Sequence, residues 1–185
     1  MKKLLISIAI SCSLATPLHT NALQGDVHGR NLGGSDDRNI IAGWLGHIGI
    51  ESSDSKVLEM LGGKKTSSWG HTSQLHKNSK NSFRTSSQYW GSRYWDWLVR
   101  NQFWRVTNYI VPNADFIEDV GANYTTTVFH NHPYYYKDFR GKWRLKLGRY
   151  RCDTYTKSMY NTGGIGFGTI TQLPRSIYYA FPNQR

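Results

Sequence analysis

Residues 142–164 read KWRLKLGRYRCDTYTKSMYNTGG, and the spacing of their apolar side chains changes once within the stretch. From 142 to 148, basic and apolar residues alternate strictly, which predicts a half-buried β-strand with a basic outer face. Beyond Gly148 the alternation stops, and the apolar residues from Cys152 to Tyr160 recur at the spacing of one helical face. The closing Gly-Gly pair is a helix stop signal. The stretch therefore predicts a strand followed by a helix that begins at Cys152.

The predicted position of Cys152 favours a reactive thiol. The first turn of a helix presents free N–H groups and the positive end of the helix dipole, which together stabilise an anion. Arg149 and Arg151 flank the cysteine in the sequence. Because the thiolate is the nucleophilic form, these features point to Cys152 as a nucleophile. The alternative is a buried, inert cysteine that packs as a small hydrophobic residue.

Composition indicates one folded domain. The chain has 185 residues and a formal net charge of +11, with 38% hydrophobic and 19% charged residues. Such a balance is typical of a packed chain rather than a disordered one. Eighteen Gly and five Pro without a period exclude a collagen-like sequence, and two Cys are too few for a disulfide scaffold.

Residues 1–22 resemble a signal peptide, with two N-terminal lysines, an apolar run at 4–15 and small residues at 20–22. The apolar run is too short for a convincing membrane span. Lipidation at Cys12 is a rival interpretation of the same segment. Cleavage after 22 predicts an exported protein, periplasmic or secreted, in which Cys152 is the remaining thiol.

His47 is the candidate proton acceptor for that thiol. It lies in GHIGI at 46–50, which predicts a short buried strand, and KVLEML at 56–61 predicts a second strand joined to it as a hairpin. Glu59 on the second strand could then stand beside His47 and orient its ring. The alternatives are a satisfied core histidine and a solvated strand carboxylate, and spacing alone favours the latter for Glu59.

Four short segments occur in order along the chain: GDV at 25–27, GHIGI at 46–50, VLE at 57–59 and RCDT at 151–154. This order resembles the circularly permuted NlpC-like cysteine peptidases of the papain-like fold (the YiiX/YaeF type). The resemblance implies an α+β fold in which an antiparallel sheet packs on a helix that carries the cysteine at its N-terminus. It also implies Cys152 as nucleophile, His47 as base and Glu59 as orienting residue, with no cofactor.

The resemblance therefore predicts an exported cysteine hydrolase, an amidase or peptidase, that acts through a thioacyl enzyme on a peptide or amide. Cell-envelope peptide, including peptidoglycan, is one candidate substrate. A lipid-directed thiol hydrolase or acyltransferase on the same fold is an alternative, since the basic face of 140–151 suits an anionic membrane surface. A non-catalytic, basic and aromatic-rich binding module is another. The signal peptide and the lack of any nucleic-acid motif disfavour nucleic acid as a partner.

The domain is predicted to span 23–185, with a basic, loop-rich insertion at about 62–93. No Asp or Glu occurs between Met60 and Trp95, and Ser, Thr, Asn and Gly separate the cations. This insertion is expected to form a substrate-facing lip over the cleft. The following aromatic stretch predicts a buried helix that ends at Val111-Pro112, and residues 173–181 predict a short terminal helix after a proline.

The segment FHNHP at 129–133 is similar to the His-x-His-Pro of zinc-dependent JAMM peptidases. That pattern also requires a Ser and an Asp at fixed spacing, and this chain has Gly141 and Arg144 at those positions. Two histidines two residues apart on a strand point the same way, but no third ligand is visible. The sequence therefore predicts no metal site.

Overall fold

The computed structural model describes residues 23–32, 46–95, 104–168 and 173–185. The predicted signal peptide lies outside the described residues, as does the part of the predicted buried helix from 96 to 103. The described chain is α+β, with a mostly antiparallel sheet and a few helices, as the sequence predicts at that level.

Six strands form the main sheet, in the order β10-β5-β1-β2-β3-β4 with antiparallel neighbours. They are β1 (Val27–Arg30), β2 (His47–Glu51), β3 (Lys56–Thr66), β4 (Thr72–Ser79), β5 (Tyr89–Tyr94) and β10 (Asn183–Gln184). Two smaller sheets accompany it. The strands β6 (Ala122–Tyr124) and β9 (Gly148–Tyr150) pair in parallel, and β7 (Tyr134–Lys137) and β8 (Trp143–Lys146) form an antiparallel hairpin.

The helices are α1 (Lys80–Thr85), α2 (Val111–Val120), α3 (Cys152–Thr162) and α4 (Pro174–Ala180). The predicted boundaries of the last two are confirmed: α3 begins at Cys152 and is followed by Gly163, and α4 has its proline in the first turn. No helix in the described part of the chain is long and apolar enough to cross a membrane.

The core lies between the main sheet and α3. On β2 the side chains of Ile48 and Ile50 are fully buried, and Tyr155 and Met159 of α3 belong to the same buried cluster. These residues follow the two periods seen in the sequence, two on the strand and about 3.6 on the helix. Burial of Tyr155 and Met159 fixes the position of α3 against the sheet. It therefore also fixes the position of Cys152 in the first turn of α3.

Residues 143–146 form a strand, as predicted, and it pairs with β7. Its apolar face is partly covered: Leu145 and the following Leu147 are half-buried, whereas Trp143 is 62% exposed. The half-buried character that alternation predicts therefore holds for the two leucines and fails at Trp143.

The segment 62–93 is not loop-rich, which corrects the prediction. It contains the second half of β3, then β4, α1 and most of β5, all within or beside the main sheet. The composition was misleading because polar residues occupy the solvent side of these strands, while Leu75 and Phe83 point inward and are fully buried. A strand needs only alternate apolar residues to be anchored.

Three lysines of this segment form ion pairs with acidic residues of the protein. Lys77 lies 3.4 Å from Asp115 and 3.5 Å from Glu118, and Lys65 also pairs with Glu118. Lys80 lies 2.9 Å from the buried carboxylate of Glu51. The acids come from distant parts of the chain, so the local sequence showed only cations.

The helical segment that precedes β6 does not end at Val111-Pro112, contrary to the prediction. Val106–Ile110 forms a wider π-turn, and α2 continues through Pro112 to Val120. The N–H of Val111 reaches back to the carbonyl of Val106, five residues earlier. Proline lacks an N–H and crowds the preceding turn, and a π-turn is one way a helix accommodates this.

The tight approach of β3 to Gly49 gives a stability prediction. A Cβ added at Gly49 would lie 2.5 Å from a methyl of Val57 and 2.8 Å from the backbone oxygen of Leu58. We expect Gly49→Ala to lower the free energy of unfolding by about 1–3 kcal/mol, measured by denaturant titration. Gly62→Ala, whose Cβ would have no neighbour within 4 Å, is the matched control on β3. Equal stability of the two variants would contradict the described packing.

Candidate active site

The three sequence-predicted site residues come from three elements. Cys152 is the first residue of α3 and is 8% exposed, His47 is the first residue of β2, and Glu59 lies within β3. The strand register places Glu59 across from Gly49, on the same face as His47 two positions away. Because Gly49 has no side chain, the carboxylate of Glu59 can lean toward the imidazole.

His47 lies close to both of the other candidates. Its Nε2 lies 2.9 Å from an Oε of Glu59, and both side chains are almost completely buried. The Cys152 sulfur lines the same cleft, near enough for its charge to act on the imidazole. Burial alone would lower the pKa of His47, but the neighbouring Cys152 and Glu59, through charge and hydrogen bonding, raise it to about 9. The arrangement therefore favours a protonated imidazole next to the sulfur.

The carboxylate of Glu59 has hydrogen-bond partners on three different strands. One oxygen faces His47 and also accepts from Arg30 at 3.1 Å, and the other accepts from the amide of Asn78 at 2.7 Å. Burial by itself would raise the pKa of Glu59, but the hydrogen bonds and charges of these three partners lower it to about 2. The carboxylate is therefore ionised at any ordinary pH and holds the imidazole in one orientation.

Arg30 and Asn78 are the residues that sequence reasoning missed. Arg30 lies directly opposite His47 in the β1–β2 register, 6% exposed, with its guanidinium 4.8 Å from the ring centre of Phe83. The signal was present in the alternation of VHGR at 27–30, which puts Arg30 and His28 on one face. What could not be read from spacing was that a buried glutamate would need this cation.

The N-terminus of α3 is built around an ion pair beside the sulfur. The guanidinium of Arg151 pairs with the carboxylate of Asp153, whose Oδ1 also accepts the N–H of Thr154 at 2.8 Å. The Thr154 hydroxyl accepts the N–H of Arg151, also at 2.8 Å, as a cap. Asp153 thus places a carboxylate in the first turn of α3, and it neutralises part of the positive charge expected from Arg151.

Cys152 and His47 line the same cleft, which has a volume of about 660 Å³. Met60, Leu61 and Leu173 give it apolar walls, and Arg30 lines it with the two reactive groups. Of the predicted insertion at 62–93, only Gly62 and Ser86 line the cleft as described. The cleft is large enough for a peptide side chain or an acyl chain next to the sulfur.

The histidines of the FHNHP segment lie elsewhere. His132 bonds the hydroxyl of Tyr150 at 3.1 Å and that of Ser158 at 2.9 Å, and His130 stacks on the ring of Tyr150. In the described ranges, no three His, Cys, Asp or Glu side chains are grouped so that they could hold a metal ion. Both ring nitrogens of His132 already have partners within the fold.

The chemistry available to this arrangement is nucleophilic. A sulfur at a helix start, an imidazole in contact with it and a carboxylate on the far side of the ring are the three parts of a thiol nucleophile with an oriented base. The first N–H groups of a helix have no partner within the helix and can stabilise a developing negative charge on a substrate oxygen.

No protein-family model, no curated protein and no solved structure matches this chain. The geometry of the described residues is what bears on its function.

The proximity of His47 predicts a reactive thiol at Cys152. We expect iodoacetamide to alkylate native Cys152 readily at about pH 7, because a neighbouring imidazolium stabilises negative charge on the sulfur. Peptide mapping by mass spectrometry assigns the label to Cys152 rather than Cys12. His47→Ala should slow the reaction at pH 7 about tenfold or more. A native thiol that reacts only after unfolding would indicate a buried structural cysteine.

Proposed function

We propose that this protein is a cysteine hydrolase, an amidase or peptidase, in which Cys152 is the nucleophile, His47 the base and Glu59 the orienting residue. The single observation that carries the proposal is that the buried His47–Glu59 pair, joined at 2.9 Å, lines the same cleft as a cysteine at the start of a helix.

In the proposed reaction, the Cys152 sulfur attacks a carbonyl carbon and the carbonyl oxygen takes the negative charge. The N–H groups at the start of α3 stabilise that oxygen. His47 then gives its proton to the leaving amine as the carbon–nitrogen bond breaks, which leaves a thioester on Cys152. Water, deprotonated by His47, hydrolyses the thioester and restores the thiolate and the imidazolium.

We further propose membership of the circularly permuted NlpC-like peptidases with a papain-like fold. Two features support this: the candidate residues follow the permuted order His47, Glu59, Cys152, and the cysteine helix packs on an antiparallel sheet that carries the other two. The signal-peptide pattern of 1–22 supports action outside the cytoplasm, in the periplasm or after secretion. Peptidoglycan peptide is then an accessible amide substrate.

The apolar walls of the cleft favour one second candidate, a thiol hydrolase or acyltransferase directed at lipid acyl groups. Met60, Leu61 and Leu173 could hold an acyl chain as readily as a peptide side chain. Parallel assays on a panel of peptide amides and on a panel of acyl esters separate the two candidates by the ratio of kcat/KM values.

Loss of the nucleophile or of the base should abolish turnover. We expect Cys152→Ala and His47→Ala each to reduce kcat/KM on the best substrate by at least about a thousandfold, because neither role has a substitute. His76→Ala, which removes an imidazole from the neighbouring strand β4, is the matched control and should retain activity. Full turnover by Cys152→Ala would place the nucleophile elsewhere, and binding without turnover by the wild type would instead identify a binding module.

The role of Glu59 predicts a shift of the pH profile. Glu59 raises the pKa of His47, so Glu59→Gln should lower it and move the alkaline limb of kcat/KM to lower pH. Turnover should fall less than in His47→Ala, by about a hundredfold, because an amide can still orient the ring. Glu118→Gln changes a buried glutamate on α2 and should leave the profile unmoved. An unchanged profile in Glu59→Gln would place the orienting group elsewhere.

A further inference from the structure

The hairpin of β7 and β8 carries an unusual amount of exposed aromatic surface. Phe139 at its turn is 92% exposed, Trp143 is 62% exposed and Tyr135 is 61% exposed. Tyr134 and Tyr136 are exposed as well. Folding of a water-soluble domain gives no reason to place so many large aromatic side chains on one projecting ribbon, and such patches mark contact surfaces.

Both faces of the β7–β8 hairpin carry aromatic residues paired with Lys or Arg. The register pairs Tyr134 with Lys146 and Tyr136 with Arg144 on one face, and Lys137 with Trp143 on the other. The ammonium of Lys137 lies 5.1 Å from the Trp143 ring centre, and that of Lys146 lies 5.7 Å from the Tyr134 ring centre. Each face therefore presents aromatic rings next to cations.

The turn holds Phe139 in a fixed, outward position. The carboxylate of Asp138 accepts the backbone N–H of Arg140 at 2.9 Å and that of Lys142 at 3.0 Å, and it also bonds the guanidinium of Arg144. Gly141 has a φ of 72°, which completes the tight turn at a conformation that favours glycine. The tip is thus preformed, so a partner would bind it without a large ordering cost.

The charge of the hairpin is strongly positive. Residues 134–146 contain five Lys or Arg and a single acid, Asp138, whose carboxylate bonds groups of the turn. The cations are Lys137, Arg140, Lys142, Arg144 and Lys146. An anionic surface is the complementary partner.

We propose that this hairpin docks the protein on an anionic lipid bilayer, with Phe139 entering the acyl region and the Tyr, Trp and cationic side chains at the headgroup level. The order along the ribbon suits a membrane interface: the tip carries an apolar ring, with the Arg140 guanidinium 5.1 Å from its centre, and amphipathic rings with further cations lie behind it. Basic side chains near a membrane surface gain affinity from anionic lipids.

The two-faced distribution favours a bilayer over a single-stranded nucleic acid. Stacked bases occupy one aromatic platform and a basic groove that follows the backbone. Here the rings lie on both faces and at the tip, which suits a medium that surrounds the ribbon on all sides. This inference does not depend on the proposed hydrolase activity, because the hairpin residues named here lie outside the cleft.

Vesicle sedimentation with the full chain tests the proposal. The protein should bind phosphatidylcholine vesicles that contain about 30 mol% phosphatidylglycerol, bind pure phosphatidylcholine much more weakly, and dissociate as salt rises. Phe139→Ser should weaken binding about tenfold or more, and Arg140→Gln with Lys142→Gln to a similar degree. The apolar segment 4–15 is the same in every variant, so a difference between variants belongs to the hairpin.

Matched controls remove the same side chains elsewhere. Phe116→Ser deletes a ring that is 47% exposed on α2, and Lys64→Gln removes an exposed cation on β3. Both should bind vesicles as the wild type does. The proposal is overturned if Phe139→Ser binds as tightly as Phe116→Ser, or if the two lipid compositions bind equally. Binding to oligo-dT that requires Phe139, without vesicle binding, would also overturn it in favour of nucleic acid.

Insertion depth gives a second, independent readout. Vesicles with brominated acyl chains quench tryptophans that reach the interface. We expect more quenching in the wild type than in Trp143→Phe, because Trp143 lies beside the inserted tip. Equal quenching in the two proteins would place the hairpin away from the lipid and overturn the proposal.

Discussion

A buried carboxylate at Glu59 imposes the central constraint on this fold. An ionised group shielded from water is tolerated only when several donors replace the lost hydration. Those donors come from three other strands: Arg30 on β1, His47 on β2 and Asn78 on β4. A slip of any of these strands by one residue would turn its donor to the opposite face. The same bonds that satisfy Glu59 therefore set the sheet register and the position of His47.

A second histidine–glutamate pair shows that such a contact alone does not make an active site. His28 lies 2.9 Å from Glu51, both fully buried, and its other nitrogen faces the hydroxyl of Tyr89 at 2.8 Å. Here burial dominates and lowers the pKa of His28, whereas the pKa of His47 is raised. The difference is the neighbouring sulfur. Only one of the two imidazoles has a helix start with a cysteine beside it.

Local pattern predicted much of this arrangement, because it rests on short-range periodicity. The helix that begins at Cys152, the hairpin of β2 and β3, and the proline-led α4 all follow from spacing and stop signals. The predictions that were wrong concern residues whose environment is set by segments far away in the sequence. Trp143 is 62% exposed, Lys65 and Lys77 pair with acids of α2, and a π-turn precedes Pro112 in the helical segment. Arg30 was missed for the same reason, because its role becomes clear only when Glu59 is placed beside it.

The order of the strands also determines when the site can form. β1 lies between β2 and β5, and β5 in turn pairs with β10, so segments from both ends of the described chain meet in one sheet. His47 and Cys152 are separated by about a hundred residues. Contacts between such distant segments carry a large loop-closure cost and slow the folding of a domain. A chain emerging during synthesis thus carries His47 long before Cys152, and the proposed site cannot form until the sheet closes.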